Sequence, residues 1–265
     1  MIILYSHNIW NCKTAGFRNK LTRSLISDAN ADVCTFQECG PMSCRKDNPD
    51  IVSLMSDIYE EASPELADSN YTPVFYKKDR FDLIDKGYLA YDGLNDLNSK
   101  SVNWAVIEDK QTKKRYAFAS THFWWMARGE IDADQRVENA KQLKEVCNKI
   151  VEKHNIPVII GGDFNNGKNS VQGDKAYTEM IKMGFRDVRY MAEEKTKEEF
   201  TCREANPVLK DDGTFEKCEV WPHMCIDYIF VYGDFEVNVR KFHIETNDTA
   251  LTASDHCPLI AWLDI

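Results

Sequence analysis

Eight polar residues stand where apolar runs of the sequence stop: Asn8, Glu38, His122, Asp163, Asn165, Asp227, Asp255 and His256. Carboxylates, amides and imidazoles are the side chains that hold divalent cations, move protons and grip phosphate. If the apolar runs are strands of one core, these residues gather at one mouth. Carboxylates drawn out of water there need a compensating cation or partners. A ligand set rich in oxygen and free of cysteine suits Mg2+ or Mn2+ rather than zinc. Taken singly, each also has a plain reading as a turn residue, because Asp and Asn bond their own backbone in turns.

The elements that must position them follow from hydrophobic pattern. The most sharply marked is residues 156–160, Ile-Pro-Val-Ile-Ile, apolar on both faces and leading into Gly161-Gly162-Asp163-Phe164-Asn165-Asn166. The paired glycines predict a sharp turn, and Asp163 and Asn165 share a side if the extended backbone persists. A first strand is expected at 2–5, ending at Ser6-His7-Asn8, and another at 33–38, ending at Glu38 before the Gly40-Pro41 loop. Between them Phe17, Leu21 and Leu25 predict an amphipathic helix. A short helix is expected at 51–59, a strand at 70–78, a strand or hairpin at 81–91, and a hairpin of 102–108 with 116–121 that delivers His122. Asp132 is the expected cap of a helix carrying Ala140, Leu143, Cys147 and Ile150 on one face, and a further helix closes at Gly184. Residues 193–224 read as a long loop or protruding hairpin, the kind of insertion that often binds. Asp227 lies near the start of a strand at 225–232, and Asp255-His256 opens the last strand.

Composition narrows the class. With 265 residues, 43% hydrophobic and 29% charged, the chain is ordinary for a globular protein, and no apolar run approaches the about 20 residues of a membrane helix. No repeat, low-complexity tract or linker divides it, so a single domain over 1–265 is expected. The first residues lack a basic n-region, which favours a strand over a signal peptide and a cytoplasmic protein. A chain trimmed after its signal would look the same and be secreted. Nine cysteines make an odd count, and neither Cys34, Cys39 and Cys44 nor Cys202, Cys218 and Cys225 form C-x-x-C. Free thiols are favoured, a disulfide in either cluster being the alternative that would revive secretion. A net charge of -10 without long basic runs disfavours tight duplex binding, although a local basic groove remains open.

Gln37-Glu38, Gly162-Asp163-Phe164-Asn165, Ile226-Asp227-Tyr228-Ile229 and Ser254-Asp255-His256-Cys257-Pro258, in that order, resemble the motifs of the endonuclease/exonuclease/phosphatase superfamily. Each motif is weak alone, and the four in register, with Asn8 and His122, span the whole chain. The resemblance implies an α+β, four-layer α/β/β/α sandwich of two mainly antiparallel or mixed sheets flanked by helices, similar to deoxyribonuclease I. It also implies a Mg2+-dependent (or Mn2+-dependent) phosphoesterase in which water attacks phosphorus in line. Glu38 would be the principal metal ligand, with Asn8 and Asp255 completing or orienting that shell. Asp163 would orient or deprotonate the attacking water, with Asn165 fixing the phosphate beside it. His256, held by Asp227, would contact a phosphate oxygen, and His122 matches a second histidine that only some branches keep.

The chain also departs from the pattern. An acidic partner for the second histidine is not evident, and Asn70 in Asn70-Tyr71-Thr72-Pro73 is the candidate phosphate contact there. Trp124, Trp125 and Arg128 follow His122, and Trp221 and His223 precede Asp227. The tryptophan pair could stack on a base, sugar or lipid headgroup, or one of the two could pack inward. A monomer acting on a phosphate ester is expected, with a small molecule or lipid headgroup favoured over duplex nucleic acid. A DNA or RNA nuclease of the same superfamily, and a catalytically silent binding protein on this fold, are the alternatives.

Overall fold

A computed structural model describes residues 1–10, 15–40, 50–167, 169–203, 208–210, 215–216 and 224–265. In chain order the strands are β1 (Ile2–Asn8), β2 (Val33–Gln37), β3 (Tyr59–Glu61), β4 (Val74–Lys77), β5 (Phe81–Ala90), β6 (Ser101–Asp109), β7 (Arg115–His122), β8 (Val158–Asp163), β9 (Arg186–Asp187), β10 (Glu194–Lys195), β11 (Val208–Leu209), β12 (Phe215–Glu216), β13 (Asp227–Tyr232), β14 (Asn238–Ile244) and β15 (Leu259–Asp264). One sheet has the order β10-β14-β15-β1-β2-β4-β3, the other β5-β6-β7-β8-β13-β9, and β11 pairs only with β12. Both large sheets are mixed, with parallel pairs β1/β2 and β7/β8 at their centres.

Side-chain alternation divides the apolar residues into three layers. Leu4, Val33, Phe118, Ile159, Ile229 and Leu259 pack between the sheets. Their alternates face outward: Tyr5, Phe36 and Ile260 lie against helix Ala15–Ala29, while Ala119, Ile160 and Phe230 lie against helices Glu130–His154 and Lys175–Lys182. The result is the expected helix/sheet/sheet/helix sandwich. Among the described residues no helix is long and apolar enough to cross a membrane.

Several local expectations are corrected. Gly161 and Gly162 lie within β8 and make no turn. A Cβ on Gly161 would stand 2.4 Å from Thr35 Oγ1 and 2.6 Å from Ser6 Oγ, so the glycine lets the two sheets approach. Helix Glu130–His154 begins after Gly129, and Asp132 caps nothing because its carboxylate serves Trp124 and Arg128. The helix at 51–59 stops at Met55, since Tyr59–Glu61 joins the sheet beside β4. In helix Ala15–Ala29 the buried face holds Arg18, Thr22, Leu25 and Ile26, whereas Phe17 is exposed. Strand β14 and helix Asp248–Ala253 were not anticipated; β14 alternates poorly, with exposed Asn238, Arg240 and Lys241. Residues 193–224, expected as a long loop or a protruding hairpin, hold β10 and the antiparallel β11/β12 pair. Cys34, Cys39, Cys147, Cys202, Cys225 and Cys257 are free thiols; Cys44 and Cys218 lie outside the described residues.

Candidate active site

The strands that contribute the inter-sheet core change character together toward one end. Leu4, Val33, Phe118 and Ile159 give way two residues later to Ser6, Thr35, Ser120 and Gly161, and two later again to Asn8, Gln37, His122 and Asp163. Strand period 2 keeps all three rows on one face, so the apolar interior grades through small polar groups into a functional rim. Register then fixes neighbours: Asp163 sits opposite His122 on one side and Asp227 on the other, and Asn8 opposite Gln37. The small row is itself bonded, with Gln37 Nε2 donating to Ser120 Oγ at 3.0 Å and Ser120 Oγ to the Phe36 carbonyl at 2.7 Å.

Asp163 is the hub. Its Oδ2 accepts from Asn8 Nδ2 at 3.0 Å and lies 3.4 Å from His122 Nε2 and 3.8 Å from His256 Nε2. Its Oδ1 accepts the Asn165 amide N–H at 2.9 Å. The turn reading of this pair is therefore realised. Asn165 is not extended, having φ 49°, and its Nδ2 donates to the Phe123 carbonyl at 3.1 Å. Burial would raise the Asp163 carboxyl, but the hydrogen bond and charge of His122 and the charge of His256 hold it well below the usual range. Asp163 is thus a carboxylate at neutral pH.

His256 Nδ1 stands 3.0 and 2.9 Å from the two Asp227 oxygens. Asp227 is in turn gripped by Thr201 Oγ1, which donates to Oδ2 at 2.7 Å and accepts the Asp227 amide N–H at 3.0 Å. Burial opposes an imidazolium, but Asp227, Cys202 and Asp255 together hold His256 protonated well above its ordinary range. Burial also drives Asp227 upward, and its carboxyl and His256 Nδ1 share one proton. His122 differs. Burial and the Lys100 ammonium push it down against the pull of Asp163, and a neutral ring with its proton on Nε2 suits the Asp163 contact.

Glu38 lies just past β2 in the left-handed region at φ 52°, a conformation costly for a residue with a side chain. Its Oε1 accepts from Asn8 Nδ2 at 3.2 Å, and Asn8 Oδ1 accepts the Trp10 amide N–H at 3.1 Å. Asn8 therefore bridges Glu38 and Asp163 and orients both. Asp255 accepts from Ser254 Oγ at 3.2 Å, and burial, with the neighbouring Glu38 charge, raises its carboxyl. Ligand atoms of Glu38, His122 and Asp163 lie within 4.8 Å of one another, as do those of Asp163, Asp227 and His256. The donor set around Asp163 is carboxylate and imidazole without a thiol among its metal-spaced groups, and it fits a divalent cation.

Three expected contacts have other settings. Asn70 is fully buried, donating to Glu61 Oε1 at 2.7 Å and accepting from Asn103 Nδ2 at 2.8 Å. Trp124 is buried with Nε1 on Asp132 Oδ1 at 2.7 Å, leaving Trp125, 46% exposed, as the open indole. Arg128 is exposed and folds back onto Asp132 at 3.2 Å. Trp221 and His223 lie outside the described residues.

Sequence reading missed Lys100, Thr201 and Cys202, whose Sγ is 3.6 Å from His256 Nε2. The hairpin register, which sets Ser101 opposite His122, could have located Lys100. It also missed buried Arg18 and Arg203. Arg18 donates to the Ile9 and Ala253 carbonyls, and Arg203 to those of Leu251 and Ser254, tying the residue after Asn8 and the residue before Asp255 to helix Asp248–Ala253. Nothing in their sequence context marks either.

No protein-family model and no curated protein matches the chain by sequence. Solved structures match it throughout. An endonuclease/exonuclease/phosphatase family protein from Bacteroides thetaiotaomicron superposes with a TM-score of 0.72 at 21% identity, covering 100% of this chain and 98% of that one. A mannosyl-6-phosphatase of Bacteroides thetaiotaomicron VPI-5482, Bt3783, gives 0.70 at 19% identity over 100% of both chains. TDP2 of D. rerio, complexed with a single-strand DNA product, gives 0.69 at 17% identity over 100% and 99%. The chain has the fold of this superfamily.

Proposed function

We propose that the chain is a Mg2+-dependent phosphoesterase that hydrolyses a phosphate ester by in-line attack of water. The observation that carries this reading is the convergence on Asp163 of Asn8, His122 and His256, with Glu38 beside them, at one rim of the sandwich. Fold likeness alone would leave the chemistry open; the side chains supply it, and neighbours that include a named phosphatase support it.

Asp163, ionised and held by Asn8, would accept a hydrogen bond from the attacking water and aim its lone pair at phosphorus. His256, kept cationic by Asp227 and Thr201, would donate from Nε2 to a phosphoryl oxygen, stabilising charge that grows in the transition state. His122 would hold the other side of Asp163 and fix its orientation. A divalent cation on Glu38, with Asn8 and Asp255 around it, would supply Lewis-acid polarisation of the phosphoryl group and stabilisation of the leaving oxygen. At the rim, Trp125 offers an indole face to the ester's organic part, its Nε1 fixed on Asp96 Oδ2 at 2.7 Å.

The reading predicts ester hydrolysis that stops with chelator and returns with Mg2+. In Glu38→Gln the Mg2+ concentration for half-maximal activity should rise by about tenfold or more, consistent with loss of a charged ligand. Hydrolysis indifferent to chelator, or an unaltered Mg2+ midpoint in that variant, would overturn it.

A further inference from the structure

We propose that Lys100 recognises the terminal, doubly charged phosphate of a phosphomonoester, making this centre selective for monoesters over diesters. The inference rests on the phosphoesterase reading above and names its substrate class.

Lys100 is 5% exposed, yet its ammonium makes no ion pair within 4.0 Å to any described carboxylate. Its Nζ lies 3.3 Å from His122 Nδ1 and 3.2 Å from Nε2. Near-equal distances to both ring nitrogens put it off either in-plane lone-pair direction, so neither contact is a well-aligned hydrogen bond. An ammonium carries three donors, while His122 commits Nε2 to Asp163 and has one ring nitrogen left to accept. At least two N–H groups of a buried cation therefore await an acceptor, an arrangement that costs stability unless a ligand completes it.

The position is built. The Lys100 amide N–H donates to Asn95 Oδ1 at 3.0 Å, and its carbonyl accepts from Asn95 Nδ2 at 2.8 Å and from the Tyr91 amide at 2.9 Å. The next residue, Ser101, is locked opposite His122 by the hairpin register. The ammonium is thus delivered beside His122, whose ring nitrogen lies within 4.8 Å of ligand atoms of both Asp163 and Glu38.

Substrate charge then decides the class. A diester presents two non-bridging oxygens and one negative charge; a monoester dianion presents three and carries a second charge. Beside the Asp163 carboxylate that second charge is repelled, and a cation close by offsets it. Lys100 supplies the charge and the donor for the third oxygen.

The test compares wild type, Lys100→Met and Lys100→Arg on p-nitrophenyl phosphate and bis-p-nitrophenyl phosphate with Mg2+, and measures inhibition and thermal stabilisation by inorganic phosphate. Methionine keeps the length and apolar stem, so the fold is retained, as circular dichroism checks. The expected result is a monoester-to-diester ratio of kcat/KM lowered about tenfold or more in Lys100→Met, a magnitude typical of one charge-assisted hydrogen bond. Phosphate inhibition should weaken in parallel, and Lys100→Arg should restore part of both. Equal loss on both esters with phosphate inhibition unchanged would mean that Lys100 only supports His122, and would overturn the inference while leaving the phosphoesterase reading intact. If wild type cleaved neither ester, stabilisation by phosphate lost in Lys100→Met would sustain phosphate recognition while the hydrolytic reading fell. Absence of that stabilisation as well would overturn both.

Discussion

Trp124 and Trp125 are adjacent and chemically identical, yet their settings differ. Trp124 is buried and donates to Asp132; Trp125 is 46% exposed with its indole nitrogen on Asp96. Replacing Trp124 by Ala should cost about 3–5 kcal/mol, the penalty for emptying a buried aromatic site, in denaturant unfolding. Trp125→Ala should change stability by no more than about 0.5 kcal/mol and instead raise KM for the ester several-fold. Equal stability effects in the two variants would contradict this division. The sequence shows that two indoles follow His122 but carries no sign of which is open, since that depends on Asp132 in a helix still to come. Asp163 and Asn165 teach the converse. Their spacing is legible both as an Asx turn and as a site, and the Asn165 N–H on Asp163 Oδ1 shows that the turn is what aims the carboxylate.

At the scale of elements, the pattern of apolar runs was the most legible feature, because strands buried on both faces read as near-continuous apolar sequence. It located β1, β2, β7, β8 and β13 and the ends at which their polar residues stand. What it could not convey was how closely the sheets approach. Gly161 looks like turn chemistry in the sequence, whereas the structure uses it as a thin place between β8 and the Ser6 and Thr35 side chains. Gly161→Ala should therefore lower stability by about 1–3 kcal/mol through overpacking, read as a reduced unfolding midpoint. A stabilised variant, as expected for Gly to Ala at an uncrowded position, would contradict close approach. The short pieces β9, β10, β11 and β12 have too few residues for periodicity to register.

For the whole molecule, the net charge of -10 argues only against a broad basic face. The cations that matter are local, and Lys100, Arg18 and Arg203 owe their positions to tertiary contacts: to His122 for Lys100, and to carbonyls of helix Asp248–Ala253, distant in sequence, for the arginines. The sandwich and the ring of strand-end residues were therefore open to sequence reading, while the buttressing groups were not. The central claim is that this rim is a hydrolytic phosphoester centre with Asp163 at its hub. The measurement that tests it most directly is Mg2+-dependent phosphate release from a phosphomonoester panel by wild type and Asp163→Asn. The account predicts release by wild type and a loss of about 10²–10⁴-fold in the variant, the span ascribed to a positioned general base, with the fold intact by circular dichroism. Undiminished release by a folded Asp163→Asn would contradict it.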